Sequence, residues 1–249
     1  MPETDLKKNI LVFVTRQEFI SILSRKRIPL DTENLHHIRR VLRYDNEITI
    51  NVSCGDGKYF SGKLGLDNHI EKISEIFEVA RPVKTSLINP GIKKKNLELL
   101  VQKGTEIGID NFYFISSNFQ NFSVESVEKY LKIAKNACSQ SKNPVIPMME
   151  KHNLEIFDFP FQENTFYFWG DPDQNTCIED LEKIDMNLFS EICFINGPEG
   201  GWSPKETGFL KNRFRSVRLS DNVLRTETAA LTTLFYIKLL IREYFKFDS

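Results

Sequence analysis

Apolar residues in this chain change their spacing about a third of the way along. In the first part they alternate or form short blocks. Ile10-Leu11-Val12-Phe13-Val14 reads as a strand, Glu47 to Val52 alternates, Gly55-Asp56-Gly57 is a turn, and Tyr59 to Leu64 answers as the second arm of a hairpin. Ile70 to Val79 supplies a further strand, and Asn34 to Arg43 spaces Leu35, Ile38 and Leu42 along one side of a short helix. Short strands with little helix predict a small β-barrel over residues 1–80.

At Ala80-Arg81-Pro82-Val83 the pattern becomes one of strands separated by helices, which places a second domain over residues 81–249. Lys84–Asn89, Asn111–Ser116, Val145–Met148, Thr165–Trp169, Ile192–Asn196 and Val217–Ser220 are the predicted strands. Lys94–Ile107 is helical, with Gly108 as its stop, and Ser123 caps a helix to about Ser141. Ser203-Pro204-Lys205-Glu206 has the residues of a capping box with Pro at the first helical position. Thr226 to about Phe245 is a last, long helix, apolar on one face through Ala230, Leu234, Ile237 and Ile241. Leu231, Phe235, Leu239 and Leu240 widen that face, which fits either a deeply buried helix or packing against a second copy. The alternation specifies an α/β fold with a parallel sheet covered on both faces.

Composition narrows the class. Of the 249 residues 41% are hydrophobic and 27% charged, as in soluble globular proteins. The N-terminus is polar and no run approaches the ~18 apolar residues of a membrane span, so an intracellular, cytoplasmic location is expected. Four scattered cysteines and four histidines offer no metal-ligand spacing; free thiols are expected and no metal. A net charge of −1 gives no global attraction to nucleic acid, so any RNA contact must be local. The stretch Arg16 to Arg43 carries seven basic residues against three acidic ones, with Arg25, Arg27, Arg39, Arg40 and Arg43 as the candidate phosphate-contacting set.

Candidate chemistry concentrates in two stretches of the second domain. Ile192 to Ile195 stops at Asn196-Gly197-Pro198-Glu199-Gly200-Gly201, a tight loop between a strand end and a helix start, and loops of that kind bind ligands in open α/β sheets. The strand ending near Ser220 is followed by Asn222-Val223-Leu224-Arg225-Thr226-Glu227-Thr228, where an arginine and a glutamate stand two residues apart at a helix start. Arg225 and Glu227 also suit a simple ion pair. No Gly-x-Gly-x-x-Gly follows a strand and no Gly-Lys-Ser/Thr occurs, which excludes the usual dinucleotide and triphosphate loops.

Together these stretches resemble the paired signature of the RsmE-type ribosomal RNA methyltransferases of the SPOUT superfamily. Val101-Gln102-Lys103-Gly104-Thr105-Glu106-Ile107-Gly108-Ile109, Ala137-Cys138-Ser139-Gln140 and His36-His37-Ile38-Arg39-Arg40-Val41-Leu42-Arg43 extend the likeness over nearly the whole chain. The resemblance implies a PUA-like RNA-binding barrel ahead of a catalytic domain with a deep trefoil knot, S-adenosylmethionine as cofactor, and a homodimer. It implies methylation of N3 of a uridine in small-subunit (16S) ribosomal RNA.

On the same footing, Gly170, Ile195, Gly197, Gly201, Leu219, Ser220, Asn222, Val223, Leu224 and Thr228 are expected to hold the cofactor, while Arg225 stabilises charge on the uracil and Glu199 accepts or orients its proton. Two stretches depart from the family pattern: Ser116-Ser117-Asn118-Phe119-Gln120-Asn121-Phe122 lacks the expected arginine and lysine, and Ser220-Asp221-Asn222 replaces a more glycine-containing loop. A non-catalytic RNA-binding or ribosome-assembly protein of this fold, and a methyltransferase acting on another RNA, remain the rival readings.

Overall fold

The structure, a computed structural model, describes residues 6, 9–24, 26–120, 122–124 and 126–245. The chain divides into two compact units, Met1–Ala80 with Lys135–Ile146, and Arg81–Ala134 with Pro147–Ser249. The grouping of Lys135–Ile146 with the first unit is not visible in the hydropathy pattern.

The first unit is built on a six-stranded sheet ordered β1(Ile10–Phe13), β3(Ile48–Ser53), β4(Lys58–Leu64), β5(His69–Lys72), β2(Ile28–Pro29), with β6(Phe77–Glu78) also on β4. β1 and β3 run parallel and the other pairs antiparallel. The strand expected over Ile70–Val79 is two strands, β5 and β6, with Ile73 and Ile76 exposed between them. Helix α1(Arg16–Leu23) starts at a capping box of Thr15 and Glu18 and buries Phe19 and Ile22 against Ile50, Val52 and Phe60. The helix expected over 34–43 is α2(Thr32–His36) running into a π-helical stretch, His37–Val41, in which the Leu42 N–H donates to the His37 carbonyl at 2.9 Å. Widening the helix by one residue rotates the positions C-terminal to it. Ile38 is fully buried, whereas Leu42, expected on the same face, is exposed.

In the second unit six parallel strands form one sheet in the order β12(Arg215–Val217), β10(Thr165–Gly170), β11(Glu191–Ile195), β7(Lys84–Pro90), β8(Asn111–Ser116), β9(Met148–Glu155). The central strands are apolar on both sides because both sides are covered. On one face α3(Lys94–Ile107) and α6(Thr226–Phe245) pack with Leu87, Phe112, Phe168 and Phe194, and part of α4(Val127–Ser141) joins them. On the other, Ile88, Tyr167, Trp169 and Ile195 meet Leu210 of α5(Pro204–Arg213) and an aromatic group around Phe159 and Phe161.

Gly108 takes the left-handed conformation (φ 99°) that ends α3. The strand expected at Val145–Met148 lies later, over Met148–Glu155, and the helix expected from Ser123 starts at Val127. β9 is an edge strand with mostly exposed side chains, so apolar alternation does not mark it. Asp110 is buried and accepts from the Thr85 N–H at 2.9 Å, beside Arg81 at 2.7 Å and Lys238 of α6 at 3.2 Å. All four cysteines are free.

Candidate functional site

Strands β10, β11 and β12 are neighbours and parallel, so their carboxyl ends open on one edge of the sheet, with Trp169 opposite Ile195 and Gly170 opposite Val217. The loops leaving those ends enclose a cavity of about 150 Å³. Of the ten residues expected at a cofactor, seven line it: Gly170, Gly197, Leu219, Ser220, Asn222, Val223 and Leu224.

Three do not. Ile195 is fully buried, with its side chain in the apolar cluster that contains Leu210. The strand alternation turns Ile195 to that cluster and Phe194 towards the cavity. Gly201 closes the Pro198–Gly201 turn at φ 75° and faces a neighbouring groove, and Thr228 is an exposed residue of α6 that lines neither space.

The cavity also takes in Asp171, Phe194, Asn196 and Thr226, which the expected cofactor set left out although Asn196 and Thr226 stand in the candidate stretches. Asn196 was legible as the head of its glycine-rich loop. Asp171 directly follows a predicted strand and could have been found by position.

Why Gly170 is small is clear from its neighbours. A Cβ there would lie 2.9 Å from Leu219 Cδ1, closer than carbon atoms tolerate, so a side chain would push Leu219 out of its place in the cavity wall.

Asn196 holds the wall together from inside. Its amide donates to Asn89 Oδ1 at 2.7 Å and to the Thr226 carbonyl at 3.2 Å, tying the ends of β7 and β11 to the first turn of α6. Asp171 is almost fully buried. Burial pushes its carboxyl upward, but hydrogen bonds from Gln174 and the Asp173 N–H, with Lys211 at 3.2 Å, outweigh this and hold it below the usual carboxylate range. Asp171 is therefore an ionised carboxylate in the cavity wall at neutral pH, paired with Lys211.

A groove of about 720 Å³ adjoins the cavity and shares Pro198, Val223, Leu224 and Thr226 with it. Both expected catalytic residues, Glu199 and Arg225, line this groove. Glu199 Oε1 accepts from the Lys93 N–H and from Asn96 Nδ2, both at 3.3 Å, and Lys93 Nζ lies 3.8 Å from Oε2. A carboxylate there caps α3, where the helix dipole favours negative charge. Arg225 is exposed, and among the described residues no carboxylate lies within ion-pair distance of it; Glu227 stands in the groove without pairing to it.

The basic set of the first unit is differently disposed from the expectation. Arg39 spends its guanidinium internally, donating to the carbonyls of Tyr44 and Gly65 at 2.8 Å and of Asn46 at 2.7 Å. Arg27 pairs with Asp67 at 2.8 Å. Arg40 and Arg43 are exposed, and Arg25 lies outside the described residues.

Comparison with known proteins gives this architecture a class. A family model described as an RNA methyltransferase domain matches residues 80–238. The chain is 30% identical to ribosomal RNA small subunit methyltransferase E of Aquifex aeolicus, over 78% of this chain and 86% of that one. It is 26% identical to ribosomal RNA small subunit methyltransferase E 2 of Borreliella burgdorferi, over 86% and 91% of the two chains. A ribosomal RNA small subunit methyltransferase E from Neisseria gonorrhoeae, solved bound to S-adenosyl methionine, shares the fold, with a TM-score of 0.69 over 87% of this chain and 92% of that one at 22% identity. The chain belongs to the RsmE-type ribosomal RNA methyltransferases.

Among the described residues no helix is long and apolar enough to cross a membrane.

Proposed function

We propose that this protein transfers a methyl group from S-adenosylmethionine to N3 of a specific uridine in small-subunit ribosomal RNA. The observation that carries the reading is the pair of adjoining spaces at three strand tips, a lined cavity and an open groove sharing one wall, with Arg225 on the groove side. The cavity's donor set fits the cofactor. Phe194, Leu219 and Leu224 offer apolar faces to a flat base, Asn196 and Ser220 offer polar edges, and Asp171 places an ionised carboxylate near a positively charged ligand. The bound cofactor supplies an electrophilic methyl group on its sulfonium.

The remaining chemistry belongs to the chain. Uracil N3 carries a proton and its lone pair is conjugated, so the anionic base must be favoured as the N3 proton passes to solvent water in the open groove. Arg225, with its guanidinium unpaired, donates to a uracil carbonyl oxygen and stabilises the charge that develops there. Glu199 is already engaged with the start of α3, which suits it to orienting the groove wall rather than to taking the proton. The Watson-Crick edge of the target must be unpaired to react, so the base enters the groove extruded from its stack.

On this reading the second unit is a SPOUT sheet with a trefoil knot. The strand order supports it: the chain lays down β7, β8 and β9 outward, returns past β7 to β10, inserts β11 between the two and adds β12 at the far edge. Residues 1–80, which carry the sheet of the first unit, act as a PUA-like barrel, with Arg40 and Arg43 as its exposed phosphate contacts. A homodimer through α6 is supported by Phe235, which is 54% exposed on that helix. An enzyme of ribosomal RNA works in the cytoplasm.

Incubating the protein with methyl-labelled S-adenosylmethionine and small-subunit ribosomal RNA, followed by mass mapping of the fragments, tests the reading. One labelled uridine bearing the methyl on N3 is expected. Label on a carbon or a ribose oxygen, or no transfer, overturns it.

A further inference from the structure

Beside the groove, Asn118 and Gln120 flank Phe119 and each is hydrogen-bonded to a residue distant in the chain. The Asn118 N–H donates to Glu206 Oε1 at 3.1 Å, and its side-chain amide to Ser203 Oγ at 3.1 Å. Both acceptors are buried and belong to the capping box that starts α5, so Asn118 is fixed to a rigid element. Gln120 Oε1 accepts from the Gly91 N–H at 3.1 Å, and the Gln120 N–H donates to the Ser117 carbonyl at 3.3 Å. Phe119, held between these anchors, is 49% exposed.

The hydrogen bonds of Asn118 and Gln120 fix the turn, and they leave a large apolar ring half exposed, an arrangement that water disfavours.

Gly200 locates that ring. A Cβ on Gly200 would lie 3.0 Å from the Phe119 carbonyl oxygen and 3.1 Å from Phe119 Cβ. Gly200 also lines the groove that contains Arg225, Glu199 and Lys93. The backbone and Cβ of Phe119 therefore stand against Gly200, a residue of the wall of a groove that also carries Lys93 and Arg225.

We propose that Phe119 is a stacking platform for an unpaired nucleobase of the RNA substrate. A flat, exposed ring beside a groove that carries cations is the arrangement that single-stranded nucleic acid uses, because every base has a face to stack and every linkage a phosphate to pair. Extruding one base leaves its neighbours with an uncovered face, and Phe119 replaces the lost stacking partner. This makes it a positioning residue for RNA, acting on substrate affinity rather than on the methyl-transfer step, and it rests on the reading of the groove as the RNA site.

The test compares the full-length protein with Phe119→Ala and Phe119→Trp, using in vitro transcribed small-subunit ribosomal RNA. For Phe119→Ala, the Kd and KM for RNA are expected to rise about 5- to 100-fold, the range for losing one base–aromatic stack. The value of kcat and the calorimetric affinity for S-adenosylmethionine are expected to stay at the unmutated values. Phe119→Trp is expected to restore RNA affinity, with its indole fluorescence quenched as RNA is added.

Unchanged RNA affinity in Phe119→Ala, while the unmutated protein binds RNA, overturns the platform and leaves the methyltransferase reading intact. A change of oligomeric state in Phe119→Ala on size exclusion also overturns it, since a second copy of the chain would then be what covers the ring. If the unmutated protein itself binds no RNA, both readings fall together.

Discussion

Replacing Gly170 by Ala puts a methyl group 2.9 Å from Leu219 Cδ1 and 3.3 Å from Leu219 Cγ, with Phe194 Cζ at an ordinary 3.7 Å. Carbon contacts are comfortable at about 3.5–4.0 Å, so one side must yield by roughly half an ångström or more. Gly170 is not among the glycines with positive φ, so Ala meets no backbone obstacle and the strain falls on the contact. Leu219 is the softer partner, and the free space beside it is the cavity.

Insertions of this kind into packed sites cost about 1–3 kcal/mol. If Leu219 relieves the clash by moving into the cavity, most of that cost appears when the cavity is filled. We expect a Kd for S-adenosylmethionine raised about 5- to 30-fold, worth about 1–2 kcal/mol, with a melting temperature within a few degrees of the unmutated protein. Calorimetric titration read beside a thermal melt separates the two effects. Shortening the obstructing side chain in Gly170→Ala/Leu219→Ala should recover part of the loss, a coupling that independent sites do not show. An unchanged Kd in Gly170→Ala with an unchanged melting temperature would refute the assignment of this cavity to the cofactor. A large fall in melting temperature with no change in Kd would show that the strand moved instead.

Arg225→Ala is expected to lower kcat by about 10²–10³-fold with cofactor affinity unchanged in calorimetry, because the guanidinium faces the groove and not the cavity; equal losses in both would mark it as structural. Asp110→Ala removes the buried carboxylate that Arg81 and Lys238 share, and denaturant titration should show a loss of about 3 kcal/mol. The depressed carboxyl of Asp171 stabilises the fold fully above its unfolded-state value of about 4, and that contribution disappears as pH falls through the lower folded value. Melting curves of the unmutated protein and Asp171→Asn should therefore differ at neutral pH and converge in acid; a constant difference would show that the charge of Asp171 does not matter.

Local signals determined much of this protein. Ser203, Pro204 and Glu206 form the capping box their order specifies, Gly108 ends α3 in the left-handed conformation, and the apolar blocks at 84, 111, 165 and 192 begin central strands, because each depends on residues within a turn or on burial on both faces. The two loops between strand ends and helix starts likewise declared a site, and most of the expected cofactor residues reach one cavity.

Other features depend on groups distant in the chain. Strand β9 sits at an edge and carries no apolar period; the π-helical turn at His37–Val41 moves Leu42 off the face its spacing assigns. Arg39 looks like a phosphate ligand in a basic run, yet three backbone carbonyls at residues 44, 46 and 65 claim its guanidinium. Which partner a long charged side chain finds is set by whatever the fold brings within about 3 Å, and spacing along the chain carries no record of it. The same holds for Asn196 with Asn89, for Asp171 with Lys211, and for Phe119 left half exposed by the bonds of its neighbours: the residues are written in the sequence, but their chemistry is decided by what packs beside them.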